Sequence, residues 1–122
     1  MKIITNNPLV NTRYPQVTEF IEADVNEILL KARNYIHLGA KLINHPQSGD
    51  LSGGETPYKS IVLDEHDMNT AMTTDFFSLT LIENSIEQNK KTSDIIKEHD
   101  EKTLEDFQVI DLDMLKNCID KL

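Results

Sequence analysis

The chain has little of what holds small secreted proteins together or anchors proteins in membranes. Cys118 is the one cysteine in 122 residues. It excludes an internal disulfide and fits a reducing cytoplasm. No apolar run approaches the roughly 20 residues that a membrane-spanning helix needs. The opening Met1-Lys2-Ile3-Ile4-Thr5-Asn6 turns polar too early for a secretory signal. His37, His45, His66 and His99 are scattered and show no paired-ligand spacing, so no metal site is expected. No P-loop, dinucleotide fingerprint or nucleophile elbow occurs, and no cofactor is expected.

Basic residues are scarce in one half only. Residues 1–63 balance six acids with six bases, and residues 64–122 carry the whole net charge of −9. That surface argues against nucleic acid and anionic membranes as partners. It reads as a solvated face that aids solubility, or as a docking face for a basic partner. Hydrophobic content of 39% and charged content of 27% lie in the ordinary globular range. Residues 1–122 are read as a single domain, and the polar stretch Asn89 to Asp106 either continues the preceding helix or forms a mobile connection over 92–106.

The most informative stretch runs from Gly39 to Leu63. Two short apolar runs, Leu42-Ile43 and Ile61-Val62-Leu63, flank a long polar loop. The loop holds three of the four glycines (Gly49, Gly53, Gly54) and two of the four prolines (Pro46, Pro57). A loop this long is usually functional or disordered, and its anchored ends favour function. Ser48, Gly49, Ser52, Gly53 and Gly54 can present backbone N–H groups to an anion. Thr56, Tyr58 and Lys59 add side chains, and Glu55 either pairs with Lys59 or meets a ligand. His45 is a candidate acid/base with Lys59 as a polarising cation, or an orienting or packed ring.

Lys2 to Thr5 reads as a buried first strand, ended by Asn6-Asn7-Pro8. Asn6 and Asn7 are candidate ligand amides, because ligands meet α/β sheets beyond the carboxyl ends of strands. The alternative is a plain turn held by their own hydrogen bonds. A second strand is expected over Val17 to Ile21. A helix follows, capped by Asp24 and closed at Gly39, with Val25, Ile28, Leu29, Ala32 and Ile36 inward. Strands are predicted over Ala40 to Asn44 and Ser60 to Leu63. From Asp75 a helix turns Phe76, Leu79, Ile82 and Ile86 inward, widened by Phe77 and Leu81. Glu83 either approaches the site or forms a salt bridge. Phe107 to Ile110 reads as a late strand. A last helix from Asp111 or Asp113 buries Leu112, Leu115, Ile119 and Leu122, with Cys118 as a small core residue. These elements make an α/β fold, a three-layer or Rossmann-like sheet of about four to five short strands with about three helices.

Several segments together resemble the small GrdX-like proteins. They are Asn6-Asn7-Pro8-Leu9-Val10, Phe20-Ile21-Glu22, Leu42 to Pro46 with Ser48-Gly49, Glu55-Thr56-Pro57-Tyr58-Lys59-Ser60, and Leu81 to Ile86. Asn44 departs from a threonine common in that family. The resemblance covers most of residues 2–90. It implies a cytoplasmic accessory role beside the selenium-dependent glycine, sarcosine and betaine reductase systems of anaerobic bacteria, and it supplies no activity. The expected role is binding of a small anionic ligand or a reductase subunit through Asn6, Asn7, His45, Ser48, Gly49, Glu55, Thr56, Tyr58 and Lys59. The alternative is a small enzyme acting on a carboxylate- or phosphate-bearing metabolite with His45 as acid/base. A homodimer through an edge strand or the last helix is a further expectation.

Overall fold

The computed structural model describes residues 1–46, 56–68, 74–92 and 99–122. In chain order the elements are β1 (Lys2–Thr5), α1 (Pro8–Arg13), β2 (Thr18–Phe20), α2 (Val25–His37), β3 (Lys41–Leu42), β4 (Ser60–Asp64), α3 (Phe76–Thr92) and α4 (Glu101–Asp120). The strands form a mixed sheet in the order β2-β1-β4-β3. β1 and β2 are parallel, and β4 runs antiparallel to β1 and β3. The fold is α/β as expected, with four strands and four helices among the described residues.

Strand alternation sorts the core into two layers. Ile3 pairs with Val62, and both pack with Val10 of α1 and Leu115 of α4. Ile4 pairs with Ile61, and both pack with Ile28, Leu29, Ala32 and Ile36 of α2 and Ile82 and Ile86 of α3. Both sheet faces are covered, so β1 and β4 read as continuous apolar runs without alternation.

The helices begin where side chains satisfy their first amides. Asp24 Oδ1 accepts from Glu27 N at 2.9 Å. Asp100 Oδ1 accepts from Thr103 N at 2.8 Å. Asn7 Oδ1 accepts from Leu9 N at 3.0 Å, with Pro8 in the first turn of α1. Proline there loses no helical hydrogen bond, and its fixed φ suits a helix start. Gly39 stands just past α2 with φ 110°, a region costly for any residue with a Cβ.

Asp75 caps α3. Its Oδ2 accepts from Ser78 Oγ at 2.6 Å and Ser78 N at 3.1 Å. The Ser78 hydroxyl bond, with the backbone bond behind it, holds the Asp75 carboxyl below its ordinary value of 3.8. A lowered carboxyl contributes stability above the unfolded value and loses it as pH falls through the folded one. Asp75→Ala is therefore expected to cost about 1 kcal/mol at neutral pH. Urea denaturation of both proteins should show that difference shrinking below about pH 4.

Four expectations are corrected by the structure. Phe107 to Ile110 lie within α4, whose cap is Asp100, not Asp111 or Asp113. The buried side of that helix is Phe107, Asp111 and Leu115, while Val109 and Ile110 are exposed. A carboxylate on the inward stripe and two apolar residues on the outer surface hide the helical period. Second, Phe76 and Phe77 are exposed although Ile82 and Ile86 are buried. Third, Leu122 lies past the end of α4 and is exposed. Fourth, β3 spans only Lys41–Leu42. Beyond it Ile43 N still donates to Val62 O at 2.9 Å, and the Asn44 side chain substitutes for the rest of the ladder. Its Oδ1 accepts from Val62 N at 2.8 Å, and its Nδ2 donates to Ser60 O at 2.9 Å.

Residues 101–106 are helical, whereas 93–98 lie outside the described residues. Glu83 meets Arg33 of α2 at 3.1 Å, the salt-bridge alternative. Cys118 is half-buried, and burial pushes its thiol up. The described part of the chain has no helix long and apolar enough to cross a membrane.

Candidate functional site

The carboxyl ends of β1 and β2 and the start of β4 lie at one end of the sheet. The registers require it, since Thr5 pairs with Phe20 on one side and with Ser60 on the other. The first turn of the chain therefore meets the segment that enters β4. Asn6 joins them through its side chain. Its Nδ2 donates to Ala23 O at 2.8 Å and to Pro57 O at 2.9 Å. Its Oδ1 accepts from Lys59 N at 2.9 Å. One buried amide thus fixes the entry to α2 and the entry to β4.

Asn7 and Thr5 extend the network to α4. Asn7 N donates to Thr5 Oγ1 at 2.9 Å. Asn7 Nδ2 donates to Gln108 O and to Asp111 Oδ2, both at 2.9 Å. Ser60 Oγ donates its proton to the same Asp111 oxygen at 2.6 Å. In the 2.7 Å contact between Thr5 Oγ1 and Ser60 Oγ, Thr5 must then be the donor. The Thr5 proton is shared with Lys59 O at 3.1 Å. Gln108 Nε2 donates to Tyr58 Oη at 2.7 Å, so α4 also holds the side of the loop exit. Asp111 is a carboxylate only 8% exposed. Such a group is tolerated inside a protein when hydrogen bonds satisfy it.

These contacts locate the residues expected from sequence. Asn6 and Asn7 are buried, and each uses both side-chain N–H groups on protein acceptors. Toward a ligand they retain acceptor capacity only. His45 is exposed beyond β3, and Lys59 is buried at the entry to β4. Thr56 and Tyr58 are half-buried. Thr56 Oγ1 accepts from Tyr58 N at 3.2 Å, which shapes the turn into the strand. Ser48, Gly49 and Glu55 lie outside the described residues.

Sequence reasoning missed Thr5, Ser60, Gln108 and Asp111. The signal for Asp111 was its place four residues after Phe107 and four before Leu115. An acid on an apolar helical stripe needs a buried partner, and Asn7 and Ser60 provide it. Thr5 and Ser60 sit at strand ends and have no local signature. Among the described residues no group of histidine, cysteine and carboxylates is arranged to hold a metal ion. A separate cleft of about 350 Å³ opens at the other end of the sheet. It is lined in part by Lys2, Thr18, Glu19 and Glu65, none of them singled out from sequence.

The fold and this polar end define a small α/β protein in which a helix-borne carboxylate ties the first turn to the entry of an internal strand. The family described as GrdX-like protein matches residues 2–120, and the chain belongs to that family. Comparison with curated proteins and with solved structures finds no match.

Proposed function

We propose that this protein is a cytoplasmic accessory protein of glycine, sarcosine and betaine reductase systems. In this reading it acts by binding, through the segment from Asn44 to Ser60, a small anionic ligand or a reductase subunit. Membership of the GrdX-like family supports the association with reductase systems. The observation that carries the binding reading is the meeting of Asn6 and Asn7 with residues 56–60 beyond the strand ends, where α/β sheets receive ligands. Thr5, Asn7, Ser60 and Asp111 hold one another, and Asn6 holds the backbone at Ala23, Pro57 and Lys59, so together they form a frame for binding groups. In this reading Thr56, Tyr58, Lys59 and His45 are the binding groups beside that frame, with Lys59 buried against it.

Thermal-shift measurements with glycine, sarcosine, betaine, phosphate and acetyl phosphate test the ligand branch. A ligand at a hundred times its dissociation constant adds roughly 2.7 kcal/mol of stability. Purification of the tagged chain from its host tests the subunit branch. No shift with any ligand and no recovered reductase subunit would overturn the reading.

A further inference from the structure

The first turn of α3 carries two rings that the fold leaves uncovered. Phe76 is 80% exposed and Phe77 is 73% exposed. Ser78, next in sequence, is buried and accepts from the backbone N–H of Leu42 on edge strand β3 at 2.9 Å. The helix therefore meets the outermost described strand at Ser78, and the turn before it lies past the edge of the described sheet. The same bond caps the outward amide of the edge, so this edge is blocked against adding another strand there. Asp75 holds Ser78 from the other side. The rings are thus displayed from a capped helix start tied to the sheet, a pre-organised arrangement.

The surroundings are acidic. Asp64 and Asp67 are exposed, and Asp75 is half-buried. Lys41 pairs with Asp67 at 3.7 Å and also acts on Asp75. A second copy would bring the same carboxylates and another net charge of −9. An anionic membrane would be repelled in the same way. Adjacent exposed aromatics with an acidic border match an apolar pocket edged by cations.

We propose that Phe76 and Phe77 anchor a docking surface for a second protein, one whose face is an apolar pocket bordered by lysine or arginine. The choice of probe rests on the reductase-system reading above. Purified reductase subunits are passed over the immobilised full chain and over its Phe76→Ser, Phe77→Ser double variant. Both rings are exposed, so the variant is expected to keep the urea midpoint of the parent. The parent should bind one subunit, more weakly as salt rises. The double variant should bind it about tenfold or more less tightly. Equal binding by both proteins overturns the docking surface and leaves the reductase reading standing. Binding by neither overturns the docking surface and the subunit branch of that reading, and leaves its ligand branch to the thermal-shift measurements. A parent dimer in sedimentation that the double variant abolishes assigns the rings to a second copy and also overturns the proposal.

Discussion

Asp111→Ala is expected to destabilise the protein by about 3 kcal/mol, the range for removing the acceptor from buried donors. The substitution leaves Ser60 Oγ–H and one Asn7 N–H facing a space that water does not freely reach. Asn7 keeps its bond to Gln108 O, and Thr5 keeps its bond to Lys59 O, so the network is weakened at its α4 end only. The urea midpoint should fall by about 1–3 M, since the slope is typically about 1–3 kcal/mol per molar for small proteins. Asp111→Asn should cost less when its amide oxygen takes over the accepting role. A loss below about 0.5 kcal/mol for the alanine variant would show that α4 is not held through this carboxylate.

The second large effect is expected at Asn6. Its amide donates to two carbonyls and accepts from Lys59 N within one buried position. Asn6→Ala removes three hydrogen bonds, for a loss of about 3 kcal/mol at roughly 1 kcal/mol each. Asn6→Asp keeps the acceptor but turns a carboxylate oxygen toward Ala23 O and Pro57 O. It should therefore cost more at pH 7 than the alanine variant, about 4 kcal/mol. The sign of its pH dependence follows. The introduced carboxyl is favoured neutral in the folded state, so its folded pKa lies above the unfolded one. Native protein then binds the extra proton more readily, and the variant gains stability relative to the parent as pH falls below that raised pKa. Urea denaturation of the three proteins at pH 7 and pH 4 measures the order. An aspartate variant no worse than alanine at pH 7 would contradict this assignment of Asn6 as a double donor.

The two substitutions also separate frame from contact. Asn6 and Asp111 are buried, and their bonds are to protein groups. Their loss should lower stability more than it alters any contact that Thr56, Tyr58 or His45 makes at the surface. A stable variant at one of those three positions that abolished binding would identify that surface as the contact region.

Parts of this arrangement were legible in the chain because they are local. Asp24 with Glu27 three residues later, followed by apolar residues at helical spacing and then Gly39, specifies α2 without reference to anything distant. The β-branched run at Ile3-Ile4 and the run Ile61-Val62-Leu63 announce strands buried on both faces. Proline after Asn7 and the glycine-bearing loop marked where polar groups gather. Alpha-4 failed the same reading because its inward face includes Asp111 and its outer face includes Val109 and Ile110. Periodicity assumes that buried means apolar, and here the sheet end supplied hydroxyl and amide partners that made a buried acid acceptable.

What residue order determined alone was the α/β class, the course of α2 and the two central strands. Only packing in three dimensions decided that Asn6 bonds to residues more than fifty positions away and that Asn7 bonds to α4 more than a hundred positions away. It also decided that Phe76 and Phe77 stay in water. The reason is physical. A turn or cap is settled by neighbours along the chain, whereas the fate of a buried carboxylate or a helix-end ring depends on which remote backbone groups the folded sheet places beside it.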